Sequence, residues 1–78
     1  MIEEEIEKLM EELGEFHEKK LLVCGRRIVP EVTLDDLMQP NDFPELENHP
    51  EFRYEEGVLA GIKTASMALK ALIKREKG

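Results

Sequence analysis

Cysteine, histidine and tryptophan are scarce in this 78-residue sequence, which has one cysteine, two histidines and no tryptophan. A single cysteine excludes an internal disulfide. One thiol and two imidazoles also leave too few ligands at the required spacing for a structural zinc site. Glycine-rich phosphate loops, the serine-hydrolase elbow and the zinc-protease motif are absent as well, so the sequence predicts neither a standard active site nor a cofactor.

Long apolar runs and an excess of positive charge are missing too. The longest apolar stretch covers residues 57–62, far short of the about 20 residues that a membrane span needs. Residues 3–5 are all glutamate, unlike the basic start of a secretory signal. The net charge of −7 disfavours nucleic acid, because phosphate contacts need clustered lysine and arginine. We therefore expect a cytoplasmic protein without nucleic-acid or membrane partners.

The length of the chain predicts one domain that spans residues 1–78. A domain this small buries only about 60% of its unfolded surface, so its core is thin. Such domains usually gain stability from disulfides, a metal or a partner chain. Because the disulfide is excluded, the sequence favours a homodimer.

Residues 2–19 predict the first long helix, since apolar side chains recur there at spacings of three and four. On a helical wheel they fill one arc about 120° wide. The members of this arc are Ile2, Ile6, Leu9, Met10, Leu13 and Phe16. The pattern stops after Lys19, because a continued helix would place Lys20 at the centre of the arc.

Residues 21–29 contain two short β-prone runs on either side of Cys24 and Gly25. Gly25 permits the positive φ of a tight turn, so this segment predicts a small β-hairpin. The alternative is a longer first helix that Gly25 caps.

The next segment carries a helix start. Thr33 is followed three residues later by Asp36, which predicts a capping box. Pro40 limits the helix that follows to about two turns.

Residues 42–46 and 48–52 then share one pattern: Asp or Asn, a bulky residue, Pro, Glu and an apolar residue. Each copy is typical of a helix N-terminus, with Asp42 or Asn48 as the cap and the proline in the first turn. We interpret the first copy as a single helical turn and the second as the start of a last helix over residues 50–77.

The last helix has two apolar faces on a helical wheel. The large face carries Val58, Leu59, Ile62, Leu69, Leu72 and Ile73. The adjoining face consists of small residues, and its interface positions are Gly57, Gly61, Thr64, Ala65 and Ala68. We expect the first helix to cover the large face and the same helix of a second chain to cover the small-residue face. The alternative is that the middle of the same chain covers it. The fold predicted is mainly α, with two long antiparallel helices joined by a small β-hairpin and short helical turns.

Three side chains are candidates for chemistry, and each has a structural alternative. Cys24 lies beside Arg26 and Arg27, whose charge would lower a thiol pKa and make the cysteine reactive; otherwise it is inert. His49 lies among many carboxylates, which suit a divalent cation or acid–base work; otherwise these acids cap helices and face solvent. His17, at the edge of the first apolar arc, is interpreted as a packed side chain.

Three of the four aromatic residues, Phe43, Phe52 and Tyr54, fall in the acidic, proline-rich middle. Aromatic residues held on a loop are typical of partner recognition. The alternative is that they close the end of the small core.

We therefore expect a non-enzymatic interaction or accessory protein that acts as a homodimer and has a possible further protein partner. One alternative is a metal-binding protein or small enzyme that uses the acidic cluster around His49. The other is a thiol-based sensor that acts through Cys24.

Overall fold

The structure, a computed structural model, describes residues 1–39 and 42–77. The four helices are α1 (Ile2–Ile28), α2 (Leu34–Leu37), α3 (Pro44–Glu47) and α4 (Pro50–Lys77). The prediction of a mainly α fold with two long helices is confirmed. Arg27 near the end of α1 pairs with Glu51 at the start of α4, and Glu18 pairs with Lys63 further along, so the two long helices are antiparallel.

The β-hairpin predicted for residues 21–29 is wrong. α1 continues through this segment to Ile28, and the two described ranges contain no strand. Gly25 does not turn the chain, since none of the described glycines has a positive φ. Gly25 is not the cap either: Val29, directly after the helix, is the C-cap, and its N–H donates to the Gly25 carbonyl at 2.8 Å.

α1 and α4 meet along one stripe of each helix, which we call the seam. Its positions alternate at spacings of three and four, the heptad pattern by which helices interlock. The seam comprises Glu3, Glu7, Met10, Gly14, His17, Leu21, Cys24 and Ile28 on α1, and Phe52, Glu55, Leu59, Ile62, Ser66, Leu69 and Ile73 on α4, all buried or half-buried. Residues 21–28 stay helical despite their β-prone composition because their apolar side chains extend this seam.

α1 and α4 form a helical hairpin, which we call the hairpin, and the chain between them is the connector. The buried core lies at the end of the hairpin where the connector crosses from one helix to the other. Its members are Leu21, Cys24, Val32, Leu37, Leu46, Phe52 and Leu59. The single-turn helices α2 and α3 each contribute one buried leucine to it. Short helical turns therefore position the side chains that close this end of the helix pair.

The capping box predicted at Thr33 is confirmed. Thr33 Oγ1 accepts the Asp36 N–H at 3.3 Å, and Asp36 Oδ2 accepts the Thr33 N–H at 2.9 Å. α2 has one turn rather than the two predicted, since it ends at Leu37. Pro40, which is predicted to end it, lies outside the described residues.

The single turn predicted around residue 45 and the start of the last helix at Pro50 are confirmed as α3 and α4. The caps predicted at Asp42 and Asn48 are wrong. Phe43 is the N-cap of α3, because Pro44 occupies the first helical turn and leaves Asp42 one residue too early. Asn48 instead closes α3, and its side-chain amide donates to the Pro44 carbonyl at 3.0 Å.

Gly25 is a point of close approach between α1 and the connector. A methyl group at this position would lie 2.9 Å from Leu37 Cδ2 and 3.4 Å from Val32 Cγ1, closer than the about 3.5–4.0 Å at which carbon atoms attract. Both neighbours are fully buried, so the core would have to shift to make room. Gly14, in the same helix, has no such neighbour within 4 Å.

We predict that Gly25→Ala and Gly14→Ala change stability in opposite directions. Each substitution gains about 1 kcal/mol of helix propensity. At Gly25, overpacking of about 1–3 kcal/mol outweighs that gain, so this variant should unfold at lower urea and Gly14→Ala at higher urea than the wild type. Urea unfolding followed by circular dichroism at one protein concentration measures both. Equal stabilities of the two variants would contradict the close approach.

Candidate functional site

The hairpin has two broad sides, one on each flank of the seam. Because α1 and α4 are antiparallel, residues directly after seam positions on both helices share one side, and residues directly before them share the other. Two ion pairs agree with this division. Glu18 and Lys63 each follow a seam position and lie 3.5 Å apart, whereas Arg27 and Glu51 each precede one and lie 3.6 Å apart. We call the side formed by residues after seam positions the charged side. We call the side formed by residues before seam positions the apolar face, because apolar residues form most of it away from the Arg27–Glu51 pair.

The α1 half of the apolar face is a row of bulky side chains, which we call the ridge. The ridge comprises Ile2, Ile6, Leu9, Leu13 and Phe16. Ile2, Leu9 and Phe16 leave 60%, 55% and 58% of their surface exposed. Full burial of one such side chain is worth about 1.5–3 kcal/mol, so the ridge holds a large hydrophobic contribution that the single chain does not use.

The α4 half of the apolar face is shallow, and we call it the trough. The trough comprises Val58, Gly61, Ala65, Ala68 and Leu72. Its three central residues are exposed, and a methyl group placed on Gly61 would meet no atom within 4 Å. A bulky row and a small-residue row therefore lie side by side on one face.

The five residues predicted as an interface are all exposed: Gly57, Gly61, Thr64, Ala65 and Ala68. The described part of the chain does not cover them, which removes the alternative that the middle segment wraps this face. Gly61, Ala65 and Ala68 lie in the trough. Gly57 and Thr64 lie further round α4, at the outer edge of the face.

The ridge is the part of this surface that the helical wheel misplaces. The wheel predicts that the apolar arc of residues 2–16 packs on α4, yet Leu9, Leu13 and Phe16 are exposed. The actual seam passes through Glu7 and Gly14, which have no apolar side chain. The wheel therefore predicts that the neighbouring, more apolar arc faces α4. The signal that points to the seam is the apolar set after Lys19, which keeps the seam spacing.

The three aromatic residues of the middle segment have different environments. Phe52 is fully buried and Phe43 packs against the core, so both close its end. Tyr54 is 68% exposed. It precedes the seam residue Glu55 and so lies at the connector end of the apolar face. Of the predicted partner-contact residues, Tyr54 is the one whose ring is largely accessible.

Cys24 lies inside α1 and faces the core, not in a turn. Only 3% of its surface is exposed. Burial raises the pKa of the Cys24 thiol, Glu51 and Glu55 raise it further, and Arg27 acts in the opposite direction. The lowered thiol pKa expected from the two neighbouring arginines is therefore wrong, because desolvation and the charge of Glu51 outweigh the charge of Arg27.

His17 and His49 are both half-buried, and the Nδ1 atom of each is buried without a hydrogen-bond partner among the described residues. His17 lies in the seam and meets the Phe16 ring edge-on, with 5.0 Å between ring centroids. Its interpretation as a packed side chain fits this position. Within residues 1–39 and 42–77, no three histidine, cysteine or acidic side chains converge in a metal-binding group.

An open groove of about 420 Å³ lies on the charged side, at the level where the two smallest seam residues, Gly14 and Ser66, line it together. Met10, Ile62 and Met67 contribute its apolar walls. Its rim alternates in charge and carries Glu11, Glu15, Glu18, Lys63 and Lys70. The groove is a consequence of small residues in the seam, where the two helices leave a gap between them.

Comparison with protein-family models, with curated proteins and with solved structures found no match for this chain. None of the helices in the described ranges has the length and apolar character required to cross a membrane. The function proposed below therefore rests on the geometry of the chain itself.

We predict that Cys24 in the folded protein reacts with iodoacetamide about tenfold or more slowly than a free thiol, since the reagent needs an opening of the core. Its raised pKa also means that the rate keeps rising with pH beyond the point at which a free cysteine is fully ionised. Mass spectrometry of the alkylated chain over a pH series measures this. The same chain in urea is the control, and a folded rate equal to the unfolded rate would contradict the prediction.

Proposed function

We propose that this chain is a non-enzymatic interaction or accessory protein that acts as a homodimer through its apolar face. The observation that supports this best is the exposed ridge beside the exposed trough. A helix on a protein surface normally has one apolar stripe and turns it inward. Here each long helix has a second stripe, and both second stripes lie on the same side of the hairpin.

The surface area of the chain is larger than that of a compact monomer, which leaves area for an interface. A compact monomer of 9.0 kDa exposes about 4,900 Å² by the usual scaling of area with mass. This chain exposes 5674 Å², roughly 800 Å² more than that scaling gives. The difference equals about one partner's share of a standard protein–protein interface, which is near 800 Å².

The two sides of the hairpin differ in a way that supports one preferred docking surface. The charged side carries the Glu18–Lys63 and Arg53–Glu56 ion pairs, at 3.5 and 3.1 Å. Charges of this kind are costly to remove from water. The apolar face has no charged side chain in the central part of its ridge or trough. Desolvation therefore favours association through the apolar face.

We predict that the wild-type protein has a solution mass near twice 9.0 kDa and that Ala65→Glu lowers it towards 9.0 kDa. Ala65 lies in the trough, where a glutamate buried by a partner would be an unpaired charge. Ala60→Glu is the matched control, because Ala60 is also an exposed alanine of α4 but points away from the apolar face. Light scattering after gel filtration at several concentrations measures the mass.

Circular dichroism of the same samples shows whether the variants keep their helices, which they should because both alanines are exposed in the single chain. A wild-type protein that is monomeric at every concentration would overturn the homodimer. Dissociation by Ala60→Glu and not by Ala65→Glu would place the interface on another surface and overturn the role of the apolar face.

A further inference from the structure

We infer that the second copy docks about a two-fold axis parallel to the long helices, so that the ridge of each copy packs in the trough of its partner. This arrangement rests on the proposed homodimer and specifies how that dimer is built. It produces a four-helix bundle in which every neighbouring pair of long helices is antiparallel. The competing arrangement has an axis across the helices, and it packs ridge on ridge and trough on trough.

Shape favours the ridge in the trough. The ridge presents Leu13 and Phe16, both exposed, whereas the trough offers Gly61, Ala65 and Ala68. Helices pack closely when large side chains on one meet small residues on the other. Ridge on ridge would hold the two copies apart by the thickness of two bulky rows. The two troughs would then face each other across a gap, and interfaces at native density do not contain such gaps.

The register of the hairpin places matching residues at one level. The Arg27–Glu51 ion pair joins residues of α1 and α4 at about one level, and the Glu18–Lys63 pair gives the same alignment to within one helical turn. Leu13 lies fourteen residues before Arg27, and Ala65 lies fourteen residues after Glu51, so Leu13 and Ala65 are level. An axis parallel to the helices preserves level. Leu13 of one copy is therefore also level with Ala65 of the partner subunit, so a bulky residue of the ridge meets a small residue of the trough.

Charge favours the same arrangement. Residues 1–20 hold eight acids and three bases, a net charge of −5, whereas residues 57–78 hold five bases and one acid, a net charge of +4. Packing α1 on α4 of the partner subunit brings segments of opposite net charge together. The attraction acts between whole segments, because Lys63, Lys70 and Lys74 follow seam positions and lie on the charged side. Packing α1 on α1 about Leu9 would bring Glu5, beside the ridge, to within about one residue of the level of Glu12 of the partner subunit. Like charges that meet across an interface oppose association.

Disulfide trapping with two single substitutions distinguishes the arrangements. Leu9 and Ala68, near the centres of the ridge and the trough, are each replaced by cysteine, and the two positions lie within about one helical turn of the same level. Mixing the two reduced variants in urea, refolding them together and oxidising them should yield a disulfide-linked heterodimer, which intact mass spectrometry identifies. Either variant oxidised alone should form no covalent dimer. In a homodimer of one variant, the two introduced cysteines lie on diagonally opposite helices of the bundle, more than about 11 Å apart. A disulfide needs Cα atoms within about 7 Å.

The wild-type protein oxidised in parallel controls for Cys24, which is buried. Covalent dimers from each variant alone, without the heterodimer, would show the axis across the helices. They would overturn this inference and leave the homodimer intact. A dimer by light scattering in which no introduced pair forms a disulfide would also overturn it. A wild-type monomer would overturn the proposed homodimer itself, so the two failures are distinguishable.

Discussion

The packing of α1 against α4 is the interaction on which the rest of the structure depends, and helix geometry limits it. Two helices side by side bury one stripe each, about a third of the circumference. On α1 the apolar residues lie in the ridge over residues 2–16 and in the seam over residues 21–28, and α4 has two adjacent apolar stripes, so one stripe on each helix remains outside. The connector decides which, because Leu37 and Leu46 close over Leu21 and Phe52 in one core. That core sets the rotation of each helix about its own axis. Because a helix is rigid, the same rotation decides which side chains face inward at its far end.

Local signals were sufficient for the parts of the fold that depend on neighbours in the sequence. Thr33 with its capping box and Pro50 at the start of α4 are examples, since a cap or a proline acts within one helical turn. The end of α1 was not predictable in this way. Gly25 suggests a turn when considered alone, but here it stays helical because Leu37 packs against it, and that contact joins residues that are distant in the sequence.

The same distinction explains why only half of the candidate site could be predicted. The small residues of the trough lie on one helix and are visible on one helical wheel. The ridge was equally visible as an apolar arc, but a wheel does not show which of two neighbouring arcs faces inward. The seam includes Glu7, Gly14 and His17, so its phase is set by the core at residues 21–28 and not by the composition of residues 2–19.

The position of the core at one end of the hairpin has a consequence for hydrogen exchange along each helix. In the half remote from the connector, Ile73 is the one buried side chain among the described residues. Amides near Leu21 and Leu59 lie beside the core, so we expect their exchange to require unfolding of the whole chain. Amides near Leu9 and Met67 lie towards the end of the hairpin remote from the connector, which we call the open end. They exchange when this end frays, which costs less free energy than unfolding the whole chain. A gradient of exchange rates along α1 and α4 should follow, shallower wherever a second molecule covers the open end.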